Sequence, residues 1–149
     1  MKVETKYHGE IELLPEQTVT FTKGLPGFEE EKSFVVLPVV DNPAFFILQS
    51  TKTAELGFIV SSPFTFFQDY DITLPKTVVE ELELENVEDA DIWTILTVKN
   101  PFPTSTANLQ APVIINRRKQ VGKQVVLIDT PYLTKQPLAP TSMTVENRG

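Results

Sequence analysis

In a chain of 149 residues, a 41% share of hydrophobic side chains suffices for one real core, and a domain of this length buries roughly 70% of its unfolded-state surface. The chain has no cysteine, which excludes disulfide frameworks, thiolate zinc sites and thiol nucleophiles. Thirteen Lys and Arg against twenty Asp and Glu leave a formal charge of −7, which repels nucleic-acid phosphates, so direct binding to RNA or DNA is not expected.

The N-terminal Met1-Lys2-Val3-Glu4-Thr5-Lys6 enters mixed charged and β-branched sequence without the apolar run of a secretory signal, and a cytoplasmic protein is expected. Period-2 patterning predicts strands over Lys2 to Tyr7 and Ile11 to Leu14, with His8-Gly9 as the hairpin turn between them. A strand over Thr18 to Thr22 follows. Gly24 and Gly27 lack the Lys-Ser or Lys-Thr of a phosphate loop; Leu25-Pro26-Gly27-Phe28 instead has Pro second and Gly third, as a type II turn requires. Strands are then expected over Ser33 to Val40, Phe45 to Ser50 and Phe58 to Val60.

At Pro75 to Leu84 the pattern changes. Pro75 suits a first helical turn, and Val78, Val79 and Leu82 share one helical face, which predicts a short helix. Leu82 and Leu84 also alternate with Glu81, Glu83 and Glu85, so the second half reads as a strand too. Further strands are expected over Ile92 to Val98, Val113 to Ile115 and Gln124 to Ile128, the last preceded by a turn over Lys119 to Lys123 containing Gly122. Together these predict a mainly β fold with one short helix, a sandwich or a compact antiparallel barrel-like single domain over residues 1–133. The polar, proline-interrupted residues 134–149 read as a flexible tail. The greasiest stretches, Phe34 to Val40 and Ala44 to Leu48, fall far short of the roughly 20 apolar residues that span a bilayer.

The inventory for catalysis is thin, and neither an enzyme nor a metal or cofactor site is expected. His8, the one histidine, reads as a solvated turn residue, not a general base. Asp69-Tyr70-Asp71 has the first two acids of a calcium loop but not its third acid, glycine or closing glutamate, and reads as a strand end.

Two features stand out. Glu80, Glu81, Glu83, Glu85, Glu88, Asp89 and Asp91 crowd seven acids into twelve residues with no base among them. They read either as a solvated face or as a rim that steers a basic partner. Glu80 and Glu81 fall toward the C-terminal end of the expected helix, where negative charge is unfavourable by roughly 0.3 to 1 kcal/mol, so local stability does not account for them. Phe64, Phe66 and Phe67 are the second feature: in an extended segment at least one ring faces away from the others, so they are either all core or partly an exposed anchor.

The stretch Phe21-Thr22-Lys23-Gly24-Leu25-Pro26-Gly27-Phe28-Glu29 closely resembles the FliW family of bacterial flagellar assembly factors. The resemblance continues through Pro43 to Ser50, Ile95 to Val98, Asn108-Leu109-Gln110-Ala111-Pro112, Asn116, and Gly122-Lys123-Gln124 leading into Val125-Val126-Leu127. It covers most of residues 1 to about 132, and the order and spacing of the motifs make the set specific.

This resemblance implies a β-barrel-like, cytoplasmic, non-enzymatic protein with two kinds of partner: flagellin and, in many species, the RNA-binding translational repressor CsrA. In that arrangement the protein keeps CsrA from flagellin messenger RNA until accumulating flagellin captures it. CsrA is then released and represses flagellin translation. From the residues themselves, the Glu80 to Asp91 acids are candidates for contacting CsrA or repelling its RNA, a repulsion that reaches about 8 Å at physiological salt. Phe64, Phe66 and Phe67 are candidates for an apolar flagellin contact. Two other readings are open: a dedicated flagellin chaperone without CsrA, and a small β-barrel carbohydrate-active module using Asp69 and Asp71 as a carboxylate pair.

Overall fold

A computed structural model describes residues 1–138. In chain order its strands are β1 (Lys2–Glu4), β2 (Glu10–Glu12), β3 (Val19–Thr20), β4 (Ser33–Val39), β5 (Asn42–Ser50) and β6 (Gly57–Ser61). Helix α1 (Lys76–Glu81) follows, then β7 (Ala90–Thr97), β8 (Thr106–Ala107), β9 (Val113–Asn116), β10 (Val121–Gln124) and β11 (Gln136–Pro137). Among the described residues, the mainly β architecture has one short α-helix, as expected.

The strands close on themselves. Neighbours run β7-β6-β5-β4-β3-β10-β9, and β9 pairs again with β7, from Ala90↔Asn116 to Trp93↔Val113. A closed barrel leaves no edges within the ring. Its pairings are antiparallel except that β3 and β10 run parallel, with Val121 opposite Thr20, so the purely antiparallel expectation needs that correction. At the far end of β7, β8 and β11 add outward, and the β1–β2 hairpin packs outside the barrel on β4 through Val3, Ile11, Leu13, Val35 and Leu37.

Alternation along the strands sorts side chains to two faces. Phe34, Leu48, Val60, Val113 and Ile115 point into the barrel with Phe21 and Leu25, and Phe21 meets Phe34 edge to face at 5.3 Å. Fully burying one such side chain stabilises the fold by about 1.5–3 kcal/mol. Ile47 and Ile114 lie on the other face and are also buried, because the hairpin, α1 and the loops cover it. Cover on both faces explains the continuous apolar runs Phe34 to Leu37 and Ala44 to Leu48, while Val40, beyond the end of β4, is exposed.

Local signals held where turn chemistry was strong. Gly9 has φ +65° between β1 and β2, and Thr5 N–H donates to its carbonyl at 2.9 Å. Gly27, with φ +85°, takes the third position of the type II turn, closed by Phe28 N–H to Leu25 O at 2.7 Å. Helix α1 buries Val78 and Leu82 against Ile114, Val125 and Leu127; the residues after it turn through Glu83 at φ 54°, so no strand begins there.

Other expectations shift. β10 spans Val121–Gln124, so Lys119 to Lys123 is not the turn; the reversal precedes Val121, with Gln120 at φ 56°. Gly122 is a strand residue beneath the Phe21 ring, where an added Cβ would lie 2.8 Å from Phe21 Cζ. Residues 125–128 alternate buried and exposed like a strand, but their amides bond to loop carbonyls: Val125 N–H to Pro112 O at 2.9 Å and Leu127 N–H to Gln110 O at 2.8 Å. The expected tail boundary also moves: Gln136 and Pro137 pair with β8, and Leu138 is buried. The remainder of that expected tail, 139–149, lies outside the described residues.

Candidate functional site

His8 is not simply solvated. Its Nε2 shares a 2.7 Å hydrogen bond with the Pro38 carbonyl, tying the hairpin tip to β4, while Nδ1 is buried without a partner. Asp69-Tyr70-Asp71 is not a strand end: Tyr70 is buried, and its hydroxyl donates to Leu109 O at 2.7 Å. Asp71 is held by its backbone, with N–H donating to the Tyr132 hydroxyl at 2.9 Å and C=O accepting from it at 3.0 Å. Burial pushes the Tyr70 phenol well above its usual value, with Tyr132 adding to the rise. Among the described residues, no group of three or more His, Asp or Glu is placed to hold a metal ion.

Five of the seven acids have basic partners, all from outside their own segment. Closure of the barrel through β7 and β9 brings the turn after β9 beside them. Arg117 Nη1 lies 3.1 Å from Asp91, and Arg118 Nη1 lies 3.6 Å from Asp89 and 3.9 Å from Glu85. Lys119 Nζ is 3.8 Å from Glu83, and Glu81 is clasped by Lys123 at 2.7 Å and Lys23 at 3.0 Å. Arg117 also donates to the Glu88 carbonyl. Asn116 fixes this arrangement: its Nδ2 donates to the carbonyls of Leu82 at 2.7 Å and Glu83 at 3.2 Å, and its Oδ1 accepts from the amides of Arg118 and Lys119.

Tertiary pairing therefore gives Glu81, Glu83, Glu85, Asp89 and Asp91 basic partners, while Glu80 and Glu88 make no side-chain ion pair among the described residues. The hydrogen bonds from Lys123 and then Lys23 hold the Glu81 carboxyl below its usual range. Partial burial pushes Asp91 upward, opposed by the Arg117 charge. Ion pairs this exposed are largely screened by water and contribute little, so they orient the face more than they stabilise it. It stays acidic on balance, seven acids facing five bases.

Phe64 lies in a 3₁₀ turn, Pro63–Thr65, so the alternation expected of an extended segment does not apply. Phe64 is 47% exposed, its ring 6.1 Å from that of Tyr70. Phe66 and Phe67 are half-buried against Tyr70, Leu96, Ala107, Leu109 and Leu138. Both line an open hollow of about 560 Å³ with Tyr70, Leu109, Pro131 and Tyr132. The row continues through Phe45, 6.2 Å from Phe66, to Phe102, which is 6.0 Å from Phe45 and 42% exposed. Phe45 and Phe102 are far apart in sequence from Phe64 to Phe67, and their adjacency leaves no local signal.

Residues 2–138 match the family model described as FliW protein. A protein of Bacillus licheniformis named flagellar assembly factor FliW is 53% identical over 138 residues, covering 93% of this chain and 96% of the relative. One from Geobacillus kaustophilus with the same name is 50% identical over 140 residues, covering 94% and 96%. The Bacillus subtilis protein of that name is 47% identical over 138 residues, covering 93% and 96%. A crystal structure described as that of the flagellar assembly factor FliW aligns with a TM-score of 0.90 at 46% identity, covering 94% of this chain and 98% of that one.

Proposed function

The chain belongs to the FliW protein family, and on that premise we propose that it is a cytoplasmic, non-enzymatic flagellar assembly factor that binds flagellin and opposes CsrA. Flagellin would then control its own translation by drawing this protein away from CsrA. The observation that carries the reading is the division of the surface into a half-exposed aromatic hollow and a separate acidic face. The first suits the apolar flank of a helical flagellin segment. The second suits a basic RNA-binding protein, whose RNA it repels.

Ion pairing moderates the charge argument. Glu80 and Glu88, lacking such partners among the described residues, contribute most of the uncompensated field. With competing or unfavourably coupled partners, rising flagellin lowers the protein available to CsrA by mass action. No helix among the described residues is long and apolar enough to cross a membrane.

Titration of the purified chain with purified flagellin and CsrA, at low and high salt, tests the reading. Both should bind, and high salt should weaken CsrA binding more than flagellin binding. Failure to bind either partner would rule it out.

A further inference from the structure

Tyr132 touches two parts of the molecule at once. Its ring is a wall of the aromatic hollow, 4.6 Å from the Tyr70 ring. Its hydroxyl, at the far end of that ring, accepts from the Asp71 amide at 2.9 Å and donates to the Asp71 carbonyl at 3.0 Å. Tyr132 and Ile72 each pack both on the cluster beside the hollow and on the cluster beneath α1.

The segment held in this way leads into α1. Residues 71–75 form neither helix nor strand, and among the described residues the Tyr132 hydroxyl makes the only hydrogen bonds to the backbone of 71–74. Ile72 and Leu74 then pack with Val78 and Leu82. At its other end α1 carries Glu81, paired with Lys23 and Lys123, and is followed by the Leu82 carbonyl that Asn116 holds. The loop bearing Tyr132 is the weaker side of this clasp: Asp129 has φ 59°, in the left-handed region, and the Thr130 hydroxyl is buried without a partner among the described residues. Both features oppose the closed position, which the Tyr132 bonds and the Leu109 and Gln110 amides, donating to the Leu133 carbonyl, maintain. The ring is rigid, so an occupant of the hollow that displaces it draws the hydroxyl away from Asp71.

We propose that Tyr132 is a clasp that couples the aromatic hollow to α1: a segment seated in the hollow displaces the ring, releases Asp71, and loosens α1 together with the acidic face at its end. The inference rests on the proposed function, in which flagellin takes the hollow and CsrA meets the acidic face. It makes their relation an unfavourable coupling through the fold instead of an overlap of surfaces. By linkage each partner weakens the other by the same factor, roughly 5- to 150-fold for coupling of ordinary strength.

The full chain is titrated with CsrA, with and without saturating flagellin, as wild type and as Tyr132→Phe, which keeps the ring and removes both bonds. Flagellin should weaken CsrA binding to wild type by about fivefold or more, and to Tyr132→Phe by about twofold or less, from a lower starting affinity. Without partners, amide exchange at Val78 to Leu82 should be about tenfold faster in Tyr132→Phe, with exchange in β5 unchanged. Thr130→Val removes the unpartnered hydroxyl and acts in the opposite sense, slowing exchange in α1 and weakening flagellin binding. Thermal melts establish that each variant is folded.

An equal response to flagellin in wild type and folded Tyr132→Phe, or α1 exchange that the substitution leaves unchanged, overturns the clasp while the proposed function stands. Complete exclusion of one partner by the other in both chains assigns their relation to overlapping surfaces and overturns the clasp as well. Faster α1 exchange in Thr130→Val has the wrong sign and does the same. A wild-type chain that fails to bind either partner overturns both the clasp and the proposed function.

Discussion

The Asn116 side-chain amide donates to the Leu82 carbonyl at 2.7 Å, tying the end of α1 to the end of β9. Asn116 is 1% exposed and its bond to the Leu82 carbonyl is buried, while its other three bonds are partly buried. It serves the acidic and basic runs together, through the carbonyls of Leu82 and Glu83 and the amides of Arg118 and Lys119.

Asn116→Ala should therefore cost more than one hydrogen bond, because it removes the partner of four backbone groups, of which the Leu82 carbonyl is in a buried bond. A loss of about 2–4 kcal/mol in urea unfolding is expected. A loss below about 0.5 kcal/mol, the scale of a neutral surface change, would show that water replaces the amide without penalty.

Gly122→Ala would force a Cβ to within 2.8 Å of Phe21 Cζ and 3.2 Å of Ile115 Cγ1 in the barrel interior. The Phe21 ring is fully buried and has no room to retreat. Destabilisation of about 1–3 kcal/mol is expected from such overpacking, measured as a lower denaturation midpoint at unchanged slope. A wild-type midpoint would show that the strand is free to shift.

Acid should weaken the loop after β5. Glu31 accepts hydrogen bonds from the hydroxyls of Ser50 and Thr53, both at 2.6 Å, and these hold its carboxyl below the usual value. A folded-state pKa below the unfolded one stabilises at pH above the unfolded value, about 4.3 for Glu, and that contribution is lost as pH falls through the lower folded value. Glu31→Gln should thus be less stable than wild type at pH 7, with the gap narrowing below about pH 4. Asp91 has the opposite sign, its raised pKa favouring the fold at low pH, so Asp91→Asn should not reproduce the effect. A gap for Glu31→Gln that does not change with pH would assign its cost to shape instead of charge.

Phe64 and Phe67 should separate binding from folding. Phe64 is 47% exposed, and Phe64→Ser should leave the melting temperature nearly unchanged while reducing flagellin pull-down. Phe67 packs on the cluster of Tyr70 and Leu109, so Phe67→Ser should cost about 1–3 kcal/mol of stability as well. Full flagellin binding by Phe64→Ser would place the contact elsewhere along the aromatic row.

Much of the fold was legible because its causes are local. Apolar, β-branched and aromatic runs marked Ser33 to Val40 and Phe45 to Ser50, and glycines marked the His8-Gly9 and Leu25 to Phe28 turns, since positive φ there is a property of one residue. Residues 125–128 misled because alternating burial identifies an extended chain but not what its amides bond to. The Glu80 to Asp91 segment misled for a related reason. Its bases are at Lys23, Lys123 and Arg117 to Lys119, distances along the chain that no window spans.

The sequence by itself determined the mainly β character, the short helix, the excess of acid and the likeness to a family, all of which depend on residue type, local order or motif spacing. Tertiary structure decided what that acid does. Pairing β9 with β7 closes the barrel and in the same step lays Arg117 to Lys119 beside the acidic segment. An apparently unpartnered run thereby becomes a largely paired face, with the uncompensated charge at Glu80 and Glu88. Coulomb interaction depends on distance in space, and only the closed barrel sets that distance.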